Sequence, residues 1–189
     1  MLSGCSWMLR TRSFWSKHVA DSLAIAQFYP ELTQRRIHMA DIGCGAGFPA
    51  LVLAAAFPNL LITAIDSTGK KINFVEKTAA ELELKNLRAV HGRAIELNRQ
   101  LEWHGRFELI TARAVAPALN IYNETTRMLN RRGRWILYKT PEHATQDSEV
   151  MNAETAAIGI AWELSPEFVL PCDAGRRQFI ASKRFIFAE

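Results

Sequence analysis

The 189-residue chain has little cysteine and little histidine, three of one and five of the other. Cys5, Cys44 and Cys172 form no Cys-x-x-Cys pair and sit at no zinc-type spacing, so no metal is expected. An odd set of thiols without redox spacing points to a reduced, cytoplasmic protein. Long hydrophobic runs are missing too. None approaches the roughly 18 residues of a membrane span, so no membrane is expected as a partner. Leu2-Ser3-Gly4-Cys5 superficially resembles a lipoprotein processing site, but no basic segment or apolar stretch of about 7 residues precedes it, and no secretory signal is expected. Charge of one sign is not in great excess: 23 basic against 19 acidic residues leave +4, which permits an anionic partner without demanding one. There is no repeat and no Pro/Gly/Ser-rich linker. With 49% apolar residues, disorder as the main state is excluded. The expectation is one domain and a monomer, with 1–36 a helical extension and 37–189 a ligand-binding core.

What is present is alternation. Residues 14–29 carry a helical apolar stripe, and 37–42 read as a short strand broken by glycines at 43, 45 and 47. A helix over 49–57 follows, with its proline tolerated in the first turn. The nearly continuous apolar run 60–65 suits a strand buried on both faces. Strands are then predicted over 87–90, 107–111 and 135–138, and helices over 68–84, 94–101, 119–129 and 142–158. Two closing strands, within 162–170 and 178–187, have no helix between them and should pair antiparallel. This pattern predicts an α/β domain: a mostly parallel seven-stranded sheet with an antiparallel edge pair, helices on both faces, and a ligand site at the strands' carboxyl ends.

The most informative stretch is Asp41-Ile42-Gly43-Cys44-Gly45-Ala46-Gly47-Phe48-Pro49, between the first strand and its helix. A dinucleotide fingerprint needs its third glycine at position 48, where Phe48 stands. A phosphate loop is absent as well, because Gly69-Lys70 is followed by Lys71. The turn resembles motif I of the class I S-adenosylmethionine-dependent methyltransferases, whose cofactor has no pyrophosphate to cradle. Asp66, 19 residues after Gly47, ends the next strand, where an acid can hydrogen-bond both hydroxyls of a ribose. The plainer reading of Asp66 is a helix cap, which Ser67 could supply equally well.

Further blocks sharpen the resemblance. Asp66-Ser67-Thr68-Gly69-Lys70-Lys71, His91-Gly92-Arg93-Ala94, Thr111-Ala112-Arg113-Ala114 and Leu137-Tyr138-Lys139 follow the glycine turn in order, and His18-Val19-Ala20-Asp21-Ser22-Leu23 precedes it. Together these look like the RsmG (GidB) family, small-subunit rRNA methyltransferases acting on guanine N7, over roughly residues 14–187. The resemblance implies S-adenosylmethionine as cofactor, 16S rRNA or the small ribosomal subunit as partner, and Asp41, Gly43, Gly45, Gly47, Phe48, Asp66, Ala94, Ile95 and Arg113 as its binding residues. Arg113 would also position substrate and cofactor. The family usually carries an acid after the alanine, where this chain has Ile95. Met1 to Ser13 is also shorter than the helical segment the family places before its His-x-x-Asp-Ser-Leu helix, and RNA docking is the function this bears on most.

Other chemistries lack their residues. No Asp/Asn-Pro-Pro-aromatic loop for amino-nitrogen methylation follows the fourth strand. The one Pro-Cys pair, Pro171-Cys172, lies far from the expected site, so Cys172 reads as a buried or incidental thiol. Guanine N7 already offers a lone pair, so no general base is expected. Lys70, Lys71, Arg93 and Lys139 fall at or near the strand-end rim and could meet RNA phosphates; singly each is better read as a solvated charge, and it is the four together that suggest RNA. Arg113 could instead serve a structural ion pair, with Glu108 or Asp41 as partner. His18 and His91 read as packed, hydrogen-bonded imidazoles. The rival functions are a methyltransferase of small molecules or proteins and a non-catalytic RNA-binding or assembly protein; a dinucleotide oxidoreductase is opposed by Phe48.

Overall fold

The computed structural model describes residues 14–184. Cys5 and the Leu2–Cys5 segment lie outside them. A π-helical turn, Trp15–Ala20, runs into α1 (Asp21–Phe28). Then follow β1 (Ile37–Ile42), α2 (Ala50–Ala56), β2 (Leu60–Asp66), α3 (Gly69–Glu81), β3 (Leu87–His91), α4 (Ala94–Leu97) and β4 (Phe107–Arg113). The chain continues through α5 (Ala118–Thr125), β5 (Leu129–Lys139), α6 (Pro141–Thr155), β6 (Ile160–Leu164), β7 (Phe168–Val169) and β8 (Arg176–Arg184).

The strands lie in the order β3-β2-β1-β4-β5-β8-β6, with the two-residue β7 paired to β8. The first five are parallel, and β8 inserts antiparallel between β5 and β6. Chain order reverses between β1 and β4, which is where a doubly wound sheet opens a crevice at its carboxyl edge. The sheet therefore has eight strands, one more than the sequence predicts; the addition is the short β7.

Strand after strand is apolar at consecutive positions because neighbours feed two cores. Met39, Ile62, Leu109, Ile136 and Phe179 face the helices α1, α2 and α3. Ala40, Ile65, Ile110, Trp135 and Ile180 face α5 and α6. Each fully buried side chain of this size contributes about 1.5–3 kcal/mol. Trp135 is 1% exposed and donates from Nε1 to Thr125 Oγ1 at 2.8 Å, so Trp135→Ala should cost about 3–5 kcal/mol. Ile25, Tyr29 and Leu32 belong to the first core, so the described part of the N-terminal segment packs on the sheet.

Three boundaries stand well away from expectation. Helix α5 stops at Thr125, and β5 starts at Leu129 rather than 135. Between the pairs Phe107↔Leu129 and Leu109↔Arg134 the register shifts, so Asn130–Gly133 bulge out of the ladder. Gly133, which in the sequence reads as a turn before the strand, belongs to this bulge. Helix α4 ends at Leu97, four residues early, and a 3-10 turn, Leu101–Trp103, follows after a break.

Candidate active site

A cleft of about 700 Å³ opens at the carboxyl ends of β1 to β4. Gly43 and Gly45 form its floor, Phe48 one wall, Asp66 and Thr68 another, and Ala94 and Ile95 a third. Volume and lining suit one small ligand of nucleoside type. A Cβ at Gly45 would meet nothing nearer than Gly43 O at 4.0 Å, so the backbone there is bare toward the open cleft. Gly47 does not line the cleft. Its φ is +89°, and a Cβ would stand 2.4 Å from Leu51 Cδ1, so glycine is needed there to seat α2.

The two acids of the glycine-turn region part company. Asp66 is on the cleft wall: Oδ2 accepts from Gly45 N at 3.0 Å and Oδ1 from Thr68 N at 2.8 Å, while Lys71 Nζ lies 3.8 Å away. Burial pushes its carboxyl up, but the Thr68 and Gly45 amides outweigh it and hold the pKa below the ordinary value. Two amides leave further lone pairs for ribose hydroxyls. Asp41, by contrast, is fully buried behind the turn. One oxygen accepts from Ala50 N, the first residue of α2, at 3.2 Å, and the other has no partner. Burial drives its pKa up to about 7. Asp41 does not line the cleft; its hydrogen bond ties the end of β1 to the start of α2.

Arg113 ends β4 at the mouth of the cleft. Its sequence-expected partners, Glu108 and Asp41, are not the ones it has. Arg113 Nη1 donates to Asp21 Oδ2 and to Lys17 O, both at 3.3 Å, and Nη2 lies 3.4 Å from His18 Nδ1. Arg177 Nε reaches the same Asp21 oxygen at 3.3 Å. The guanidinium also stands 5.8 Å over the Phe48 ring, and His18 packs on that ring at 5.0 Å. Burial, then the Arg113 charge, lowers the His18 pKa. His18 and Asp21, three residues apart on one helical face, thus both meet Arg113 at the cleft, a partnership the sequence reading did not assign to either.

A second cavity of about 960 Å³ shares His18, Arg113, Ala114 and Val115 with the cleft. Tyr138, Lys139, His143, Asn120, Asp147 and Arg177 continue its wall. Of the four cations expected to meet RNA, Lys71 and Arg93 line the cleft and Lys70 is exposed beside it. Lys139 is committed elsewhere: Nζ is 2.8 Å from Asp147 Oδ2 and donates to Ala116 O at 2.7 Å, with the side chain 13% exposed. This half-buried ammonium, held at two points, braces the end of β5 against α6 and the segment after β4. Glu124, from α5, also lines the cleft and was not anticipated. His91 is hydrogen-bonded as expected, to Ser67 O at 3.0 Å. Cys44 is buried, which pushes its thiol well up, whereas Cys172 is exposed rather than buried.

With this geometry in place, the family described as rRNA small subunit methyltransferase G, GidB, matches residues 7–178. The chain belongs to this family. A small-subunit rRNA methyltransferase G from Leuconostoc mesenteroides is 31% identical over 89% of this chain and 70% of its own length. One from Streptococcus pyogenes is 40% identical over 76% of this chain and 60% of its own length. Among solved structures, an Aquifex aeolicus S-adenosylmethionine-dependent methyltransferase aligns with a TM-score of 0.63 at 15% identity, covering 90% of this chain and 92% of that one. The B. subtilis tRNA methyltransferase TrmK aligns at 0.64 and 18%, covering 90% and 68%. These two speak for the fold: class I, Rossmann-like. As a GidB-family protein the chain is an S-adenosylmethionine-dependent methyltransferase, and the bare glycine floor, the acceptor at Asp66 and the apolar Ala94–Ile95 wall fit that cofactor. Among the described residues no helix is long and apolar enough to cross a membrane.

Proposed function

We propose that the chain transfers a methyl group from S-adenosylmethionine to N7 of a guanine in 16S rRNA, as a monomer acting in the cytoplasm. The observation that carries this reading is the junction of the two cavities at Arg113, with a cofactor-shaped cleft on one side and a cavity bordered by Arg113 and Arg177 on the other.

S-adenosylmethionine, when bound, supplies an electrophilic methyl on a sulfonium. The remaining work belongs to the chain. Asp66 would hold the ribose through the lone pairs its two amide donors leave free, and Gly45 would let the cofactor approach the backbone, while the glycine at 43 makes room for Val115. Phe48, Ala94 and Ile95 exclude water around it. Because a backbone or apolar contact is all that position 95 offers, Ile95 replaces a polar contact by packing. Arg113, immobilised by Asp21, presents a planar fork at the boundary, suited to the guanine carbonyl or an adjacent phosphate. N7 needs alignment and not deprotonation, which agrees with His18 Nδ1 already facing a guanidinium donor. Lys71, Arg93 and Lys70 then border the entrance for the phosphate backbone.

The test is methylation of small-subunit rRNA that lacks the modification. N7-methylguanine is cationic and its glycosidic bond labile, so reduction and aniline cleavage map it. Purified protein with S-adenosylmethionine should create one new cleavage. Cofactor binding without any cleavage, on naked RNA and on assembled subunits alike, would transfer the assignment to a small-molecule acceptor.

A further inference from the structure

The end of the sheet opposite the cofactor cleft carries a second basic feature. The β5 bulge sets Arg131 and Arg132 outward, and both are exposed. It is a built feature: a Cβ at Gly133 would lie 2.7 Å from Leu129 Cγ and 2.9 Å from Glu108 O, and Asn130 Oδ1 accepts from Arg132 N at 3.0 Å. Facing the bulge, Arg35 follows the 3-10 turn Pro30–Thr33. Between them runs a groove of about 760 Å³, bordered by four arginines, Arg35, Arg131, Arg132 and Arg134, and by two carboxylates, Glu31 and Glu108. The carboxylates are engaged: Glu31 pairs with Arg134, whose guanidinium lies 4.7 Å over the Tyr29 ring, and Glu108 Oε2 accepts from His38 N. Arg134 is thereby a pinned floor, and the remaining arginines of the groove, Arg35, Arg131 and Arg132, with exposed Arg36 adjoining, outnumber the one remaining carboxylate charge, that of Glu108.

We propose that this groove binds the phosphate backbone of the substrate RNA at a point remote from the modified base. The inference rests on the reading of an RNA substrate. Guanidinium forks on a fixed bulge match phosphate oxygens in pairs, and their weak hydration lowers the cost of contact. The six residues of β1 separate groove from cleft by roughly 20 Å of strand, so one RNA reaches both only by running along the outside of the domain from one end of the sheet to the other. A fragment of a few nucleotides does not reach the groove while its base is in the acceptor cavity. The groove therefore selects structured small-subunit rRNA over fragments.

The experiment compares wild type with the triple variant Arg35→Glu, Arg131→Glu, Arg132→Glu, and with a charge-matched control, Lys77→Glu, Lys85→Glu, Arg99→Glu. Melting temperature and S-adenosylmethionine affinity establish folding for each. The groove variant should raise KM for full-length small-subunit rRNA at least tenfold and leave kcat near wild type. It should also flatten the dependence of log affinity on log salt by about 2–3, as three lost phosphate contacts require. On a short RNA carrying the target guanine it should match wild type. Unchanged KM and salt slope on the long RNA would overturn the proposal, as would an equal loss in the control. A defect on assembled subunits but not on naked rRNA would also overturn it, since the contact would then be to a ribosomal protein. If wild type itself modifies no RNA while binding the cofactor, the functional reading fails first and the groove with it.

Discussion

Asp21 and Arg113 stand 92 positions apart in the chain and 3.3 Å apart in the fold, with the carboxylate 3% and the guanidinium 14% exposed. The pair ties the first described helix to the end of β4, at the point where cleft and second cavity meet. Arg177, from β8, completes it from a third element. Burying a carboxylate between two guanidiniums spends desolvation energy on geometry, and the geometry obtained is the direction of the Arg113 fork.

Arg113→Lys tests that direction. The charge stays and the fork is lost, so the single-turnover methylation rate should fall by about ten- to a hundredfold, equivalent to roughly 1.4–2.7 kcal/mol at the barrier. The melting temperature should move by only a few degrees. Asp21→Ala, which leaves two guanidiniums facing an uncharged site, should instead destabilise by about 3–5 kcal/mol, read in urea unfolding. A rate unaffected by Arg113→Lys reduces the pair to a structural strut.

Asp66→Ala removes the ribose acceptor and two amide partners together. Cofactor affinity in calorimetry should fall by about 1.5–3 kcal/mol. The folded pKa of Asp66 is depressed, so its stabilising contribution is complete above the ordinary carboxylate value and is lost as pH falls through the depressed one. Melting curves between pH 6 and pH 3 should show that loss in the wild type and much less of it in the variant.

Asp41 has the opposite sign. Its pKa is raised to about 7, so the folded state holds a proton that the unfolded state has released, and stability from this group declines as pH rises from about 4 to about 7. Asp41→Asn keeps an acceptor for Ala50 N without the charge. It should raise the melting temperature more at pH 8 than at pH 5. An equal effect at both would show that the carboxyl is ionised throughout.

Lys139→Met separates strut from RNA contact. The salt dependence of RNA binding should be unchanged, whereas stability should fall by roughly 1–3 kcal/mol as Asp147 loses its counter-charge and Ala116 O its donor. A flatter salt slope would restore Lys139 to the RNA surface.

The glycine turn, the alternation of elements and Asp66 were legible in the sequence because each is local: a turn needs its glycines in place, and the acid ends a strand of recognisable pattern. The Asp21 partnership was not, since a contact across 92 residues leaves no mark at either end beyond the residue type. Arg113 was correctly set at the cleft and wrongly partnered for that reason. Lys139 looked available because its neighbours in sequence are uncharged; the capturing carboxylate comes from α6, two turns on. The start of β5 was misread because a bulge and a reverse turn use the same residues, and only the Phe107↔Leu129 pairing tells them apart.

The placement of β8 also governs how this chain becomes a protein. Among the described strands β6 meets the main sheet only through β8, and the flank of β5 at Ile136–Lys139 is covered by the same strand. Until residues 176–184 exist, β5 is an open edge of apolar side chains, the kind of surface that recruits other chains. The Arg177 half of the Asp21 clamp arrives with that strand as well. During synthesis the cofactor side can assemble early, whereas the acceptor side closes last, so truncations that remove β8 should aggregate before they lose affinity for a nucleoside.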